Sequence, residues 1–134
     1  IYLCYHMAKS KNQKSLNINR QMIFLQSALS SQIMSDLGTL NQINRLYRKQ
    51  KVNVVVSNNL DYPATERFCE EKNIPYIKFE GANALRDIKN SILEGELSKY
   101  PNLVCIVGNE GKKVEGLAKK LFEYGISSVL IRLF

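Results

Sequence analysis

Short apolar segments alternate with amphipathic segments of helical length along most of this chain, and this alternation constrains the fold more than any other feature. Four segments are predicted to be strands: residues 52–56, 75–79, 102–107 and 126–133. Strands that alternate with helices of about 10–15 residues predict helices on both faces of a mainly parallel or mixed sheet. We therefore expect an α/β chain folded as a three-layer α/β/α sandwich with a mixed, mainly parallel sheet of about four to five strands.

Five helices are predicted: residues 20–34, 39–49 and 61–72, one that follows the turn at Gly81, and one between the turn at 108–111 and Gly125. The first rests on apolar residues that recur at helical spacing, namely Met22, Leu25, Leu29 and Ile33.

Three residues are predicted to mark helix boundaries. Gly38 breaks the apolar pattern, so we expect it to end one element just before the second helix begins. Asp61 is predicted to cap the third helix, because Asx side chains cap helices, and Pro63 suits its first turn.

A chain of 134 residues has the length of one domain. Residues 1–19 are predicted to be a basic N-terminal arm, with 8–19 as a candidate linker, and residues 20–134 a single α/β domain resembling RNA-binding modules. No apolar run approaches the roughly 20 residues of a membrane-spanning helix, so no membrane partner is expected. A hydrophobic content of 45% excludes an intrinsically disordered chain.

The net charge of +7 is confined to the first two fifths of the chain. Residues 1–52 contain eight basic residues and one acidic residue, Asp36, whereas residues 53–134 contain eleven of each. Such an asymmetry favours a polyanionic partner, with RNA as the first candidate. The alternative is a basic surface that only keeps the protein in solution.

No pattern in the chain is typical of a catalytic or metal site. Cys4, Cys69 and Cys105 are scattered, and His6 is the single histidine, so no zinc-ligand set is recognisable. The cysteines are predicted to be free thiols in a reducing intracellular compartment, the cytoplasm or an organelle such as the mitochondrion. The turn at 108–111 resembles a phosphate loop, but Glu110 in it would repel phosphate. We therefore expect no cofactor and no enzymatic activity.

Polar loops next to the basic half predict an RNA-binding surface. Asn and Gln can pair with base edges, while Arg and Lys bind phosphates. Each loop taken alone could also serve only capping and turn formation. The predicted RNA-binding residues are Gly38, Thr39, Asn41, Gln42, Arg45, Arg48, Lys49, Asn58, Asn59, Gly81 and Asn83.

Two strings, LGTLNQINRLYRKQKVNVVVSNNLD (37–61) and FCEEKNIPYIKFEGANAL (68–85), resemble the kink-turn-binding ribosomal protein family. The resemblance covers about half the chain. It implies an α/β/α sandwich that binds RNA through the Gly38 loop and its helix, the Asn58–Asn59 turn and the Gly81–Asn83 loop.

The segment EGKKVEGLAKKLFEYGISSVLIRLF (110–134) is similar to the end of the third domain of eukaryotic-type peptide-chain release factors, which belongs to the same superfamily. This second resemblance implies a domain that docks onto protein partners.

The sequence thus favours a non-catalytic RNA-binding component of a ribonucleoprotein, for example a ribosomal protein. Its expected partners are a structured RNA, such as ribosomal RNA or another ribonucleoprotein RNA, and neighbouring proteins of the particle. Two alternatives stay open: a protein-docking domain related to release factors, and a small Rossmann-like enzyme that uses a nucleotide at the 108–111 turn.

Overall fold

The protein is built on one six-stranded sheet, seen here in a computed structural model that describes residues 2–6, 20–27, 34–58, 61–108 and 111–133. The strands are β1 (Tyr2–His6), β2 (Gln21–Ser27), β3 (Val54–Asn58), β4 (Tyr76–Phe79), β5 (Asn102–Ile106) and β6 (Ser127–Leu133). They lie in the order β1-β6-β2-β5-β3-β4. Strands β2 to β6 are parallel, and β1 pairs antiparallel with β6.

Four helices cover the two faces of the sheet: α1 (Asp36–Arg48), α2 (Pro63–Glu71), α3 (Ala84–Glu94) and α4 (Gly111–Glu123). A 3₁₀ turn, Glu96–Lys99, follows α3. Helices α1 and α2 share one buried cluster with alternate residues of the strands, and α3 and α4 share the other. We call these the α1/α2 face and the α3/α4 face. The predicted three-layer α/β/α sandwich with a mainly parallel sheet is confirmed.

The helix predicted over residues 20–34 is wrong, because residues 21–27 form the strand β2. Its residues from Met22 to Ser27 are all buried between β5 and β6. A strand that is covered on both faces carries a continuous apolar run instead of an alternating pattern. The run Met22–Leu25 therefore matches a helical face by chance, and Leu29 and Ile33 lie outside the described residues.

Several other predicted boundaries also shift. Strand β3 begins and ends two residues later than predicted, so Ser57 and Asn58 are buried strand residues and not part of a turn. Residues 2–6, which the sequence assigns to the basic arm, form the edge strand β1, and residues 7–19 lie outside the described part of the chain. Within that part, no helix is long and apolar enough to cross a membrane.

The parallel strands define two edges of the sheet. All five carboxyl ends lie at one edge, which we call the carboxyl edge, and all five starts lie at the other, the amino edge. Each helix that connects parallel strands runs back from the carboxyl edge, so its first turn lies there. The chain leaves β2 towards β3 through α1 and leaves β5 towards β6 through α4, on opposite faces. Ligands of α/β proteins bind outside the carboxyl ends of such strands.

Candidate functional site

Helix α1 begins earlier than its glycine suggests. Ser35 is the N-cap, and its Oγ accepts a hydrogen bond of 3.0 Å from the backbone N–H of Gly38. Gly38 therefore lies inside the first turn of α1, and the prediction that it ends one element just before the helix begins is wrong. A Cβ on Gly38 would lie 2.8 Å from Ser35 Oγ, so the glycine makes room for this cap. Ser35 followed by Asp36 is the capping pattern that could have located the helix start.

The first turn of α1 also caps α2. The Asp36 carboxylate accepts hydrogen bonds from the backbone N–H groups of Ala64 (2.6 Å) and Thr65 (3.0 Å), and from Thr65 Oγ1 (2.7 Å). In return, the Tyr62 hydroxyl donates to the backbone oxygen of Met34 at 2.8 Å. The predicted cap by Asp61 is wrong, since Tyr62 is the N-cap of α2 and makes no side-chain cap. The only acid in the first 52 residues is thus used within the fold.

One side of α1 is exposed and polar. Asn41, Arg45 and Arg48 are exposed and spaced by four and three residues, so they lie along a single stripe of the helix. Gln42 is half-buried beside this stripe, whereas Thr39 is fully buried and cannot contact an external partner. From Asn41 to Arg48 this stripe extends about 10 Å, and it ends at the last residue of α1, at the amino edge.

A polar cleft of about 560 Å³ opens at the amino edge. Its lining residues are Arg20, Gln21, Lys49, Gln50, Lys51, Asn102 and Ser127. Three of them are cations, and no carboxylate is among the described residues that line it. We call this the amino-edge cleft.

Arg20 is fixed in that cleft by the last turn of α3 and by the 3₁₀ turn that follows it. Its guanidinium donates to the backbone oxygens of Ile92 at 3.2 Å and Leu97 at 3.1 Å. Burial lowers the pKa of this guanidinium. Arginine side chains nevertheless stay charged in proteins. Sequence reasoning did not include Arg20 and Lys51 among the site residues, although both are basic residues just before a strand.

A second cleft, of about 290 Å³, opens at the carboxyl edge on the α3/α4 face. It is lined by Asn58, Gly81, Ala82, Asn83, Ala84, Leu85, Arg86 and Lys113. We call it the carboxyl-edge cleft. It brings together three predicted residues, Asn58, Gly81 and Asn83, with two cations that sequence reasoning missed, Arg86 and Lys113.

Polar side chains end the two strands β2 and β3 at this edge. Gln26, Ser27, Ser57 and Asn58 are all buried there. Gln26 Oε1 has no hydrogen-bond partner within the described ranges. These four side chains place buried polar groups at the carboxyl ends of β2 and β3.

The structure therefore divides the predicted RNA-binding residues between separate places. On the α1/α2 face, Gly38 and Thr39 lie in the first turns of α1 near the carboxyl edge, and Arg48 and Lys49 lie at the amino edge. Asn41, Gln42 and Arg45 lie along the helix between these two ends. Asn58, Gly81 and Asn83 line the carboxyl-edge cleft on the opposite face. Asn59 lies outside the described residues.

The two cysteines whose side chains the structure describes, Cys69 and Cys105, are buried. Neither Cys69 nor Cys105 belongs to a disulfide. Burial, with a smaller contribution from Glu66, raises the pKa of Cys69 to about 12. Among the residues that the structure describes, no group of three or more His, Cys, Asp or Glu is placed to hold a metal ion. The side chains of Cys4 and His6 lie outside the described part.

Comparison of the chain with protein-family models, with curated proteins and with solved structures finds no match. The two family resemblances stay predictions from the sequence.

Proposed function

We propose that this protein is a non-catalytic RNA-binding component of a ribonucleoprotein and that it binds RNA phosphates through the amino-edge cleft. The observation that carries the proposal is the lining of that cleft by Arg20, Lys49 and Lys51, with no described carboxylate among its lining residues. A groove lined by one sign of charge concentrates counter-ions of the opposite sign, and RNA offers a phosphate at every nucleotide.

The exposed stripe of α1 extends this basic surface. Arg45 and Arg48 add two cations next to Lys49, and Asn41 adds an amide that can donate and accept hydrogen bonds at a base edge. The sequence preceding Arg20 carries three more basic residues, Lys9, Lys11 and Lys14.

Stabilisation of α1 explains only some of the basic residues on this surface. Arg45 and Arg48 lie in the last turn of α1, where cations interact favourably with the helix dipole. Arg20 and Lys51 lie outside the helix and still line the same cleft. Their convergence from separate parts of the chain favours an external polyanion.

A salt titration of RNA binding tests the proposal. The probe is a fluorescent RNA hairpin with a 5′-hydroxyl end, and its affinity is measured by anisotropy at increasing salt. We expect the variant Arg45→Glu/Arg48→Glu/Lys49→Glu to bind more weakly and its salt slope to fall by about one unit for each lost phosphate contact.

The matched control carries Lys112→Glu/Lys119→Glu/Lys120→Glu, which changes the net charge equally on exposed positions of α4. We expect it to keep the salt slope of the parent protein. Equal loss in both variants, or no loss in either, contradicts the proposal. Capture of a protein partner without RNA would instead favour the docking function.

A variant of Asn41 tests whether the protein contacts RNA bases as well as phosphates. Asn41→Ala should lower the affinity for an RNA hairpin whose bases Asn41 contacts by roughly 1–3 kcal/mol, by analogy with base contacts in other complexes. Because Asn41 is exposed, the melting temperature should stay unchanged. Loss of stability with unchanged RNA affinity would make Asn41 a structural residue.

A further inference from the structure

We propose that the carboxyl-edge cleft is a separate binding site for a phosphate monoester. It lies on the α3/α4 face beside the first turns of α3 and α4, at the end of β3 where Asn58 contributes to its wall. The amino-edge cleft lies at the opposite edge of the sheet, so this site does not rest on the RNA-binding proposal.

Two cations from different helices line the cleft. Arg86 belongs to the first turn of α3, and Lys113 lies near the start of α4. Arg86 Nε is 4.0 Å from Asp87 Oδ1, and both side chains are more than half exposed. An ion pair of that length in water contributes little, so the Arg86 guanidinium can turn towards an anion in the cleft. No carboxylate belongs to the described lining, and Glu110, which the sequence predicts to repel phosphate, lies outside the described residues.

Backbone amides of α3 add donors at the same place. Asn83 is the N-cap of α3 but makes no side-chain cap, and Ala84 N–H makes only a long bond of 3.3 Å to Gly81 oxygen. The first amides of a helix have no partner within the helix and carry its positive dipole end. Together with Arg86 and Lys113 they form a site for a doubly charged anion.

The size and lining of the cleft limit the ligand. A volume of about 290 Å³ is close to the lower end of small-molecule sites, which begin at roughly 300 Å³. The described wall contains small or aliphatic side chains, Ala82, Ala84 and Leu85, and no aromatic ring on which a base could stack. It therefore fits a phosphate and the sugar attached to it. Two lining cations favour a monoester, which is nearly dianionic at neutral pH, over a monoanionic phosphodiester.

Two kinds of molecule carry a phosphate monoester of this kind: a free nucleoside monophosphate and the 5′-phosphate end of an RNA. An NMR titration of amide shifts with inorganic phosphate locates the site first. We expect shifts confined to the amides of residues 81–86 and to those around Lys113. Adenosine monophosphate and short RNAs with a 5′-phosphate or a 5′-hydroxyl are then compared. Tighter binding of the mononucleotide identifies the free ligand, and tighter binding of the 5′-phosphorylated RNA identifies the RNA end.

The variant Arg86→Gln/Lys113→Gln should lose phosphate affinity by about tenfold or more, because two charge-assisted hydrogen bonds are removed. The control Lys89→Gln/Lys112→Gln removes one charge from each of the same helices outside the cleft and should stay within about twofold of the parent. Unchanged amide shifts outside residues 81–86 and 113 verify that the double variant is folded. Shifts that are absent or that map to the amino edge would overturn the proposal, as would equal affinities of the two variants.

Each of the two proposed sites can be refuted without refuting the other. Arg45→Glu/Arg48→Glu/Lys49→Glu should leave the phosphate shifts at residues 81–86 unchanged. Arg86→Gln/Lys113→Gln should leave the salt slope for the 5′-hydroxyl hairpin unchanged. If the α1 variant abolished phosphate binding, phosphate would be bound at the amino edge and the carboxyl-edge site would be refuted.

Discussion

Replacing Asp36 by Ala should destabilise the protein more than any other single substitution at an exposed or half-buried carboxylate. The substitution removes an acceptor from two backbone amides and one hydroxyl, at 2.6, 3.0 and 2.7 Å. Thr65 is fully buried, so water does not replace the carboxylate at its backbone N–H, whereas its hydroxyl can still donate to the backbone oxygen of Asp36 at 3.2 Å. The first turn of α2 then has no side-chain cap, because Tyr62 provides none.

The expected loss follows from these contacts. Removal of a helix cap costs about 0.5–2 kcal/mol, and a buried donor left without a partner costs about 1–3 kcal/mol. The contacts share one side chain and are not additive, so we expect Asp36→Ala to lower the free energy of unfolding by about 2–4 kcal/mol. For a domain of this size that is a drop in Tm of roughly 10 °C.

Urea unfolding followed by circular dichroism measures this loss. Asp36→Asn keeps one acceptor oxygen and should lose about half as much as Asp36→Ala. Asp61→Ala is the matched control, because Asp61 is the cap that the sequence predicts and that the structure does not use. Its effect should stay within about 0.5 kcal/mol. A loss at Asp61 that equals or exceeds the loss at Asp36 would refute the argument.

Two further predictions concern stability. Gly116→Ala should raise the free energy of unfolding by about 0.5–1 kcal/mol, because Gly116 lies within α4 and an added Cβ would meet no atom within 4 Å. Gly38→Ala should give no such gain, because its Cβ would displace Ser35 Oγ from the cap of α1. Thermal unfolding of both variants tests this prediction. Stability should also fall as the pH rises from about 9 to 12, since burial raises the pKa of Cys69 and of Tyr76 to about 12 and both ionise more readily in the unfolded chain. Cys69→Ala should reduce this loss between pH 9 and 12 in urea unfolding, and an unchanged pH dependence would contradict the assignment.

The carboxyl-terminal two thirds of the fold could be predicted from the sequence because β3, β4 and β5 are short and each is followed by a helix, with turn residues between the elements. Strand β2 could not be predicted in this way. Apolar residues at Met22 and Leu25 fit an amphipathic helix and also fit a strand that is covered on both faces. Sequence patterns describe neighbours along the chain, and they misassign a segment whose neighbours are strands some 80 and 110 residues away.

The candidate sites illustrate the same limit. The charge asymmetry indicated a basic surface in the first two fifths of the chain, and Arg48 and Lys49 do lie at the amino edge. Arg20 joins them only because the sheet order places the start of β2 between Asn102 and Ser127. The cap on α2 comes from Asp36, about 28 residues before it, and no local pattern around Pro63 contains that information.

Helix α3 connects the two clefts directly. Its first turn forms part of the wall of the carboxyl-edge cleft, and Arg20 of the amino-edge cleft holds the backbone oxygen of Ile92 near its end. The helix has 11 residues, about 16 Å, and acts as a rigid rod on that scale. A ligand that displaces α3 at the carboxyl edge therefore also moves the backbone oxygen of Ile92, which accepts a hydrogen bond from Arg20 at the amino edge. By thermodynamic linkage, any change that phosphate makes in RNA affinity must equal the change that RNA makes in phosphate affinity.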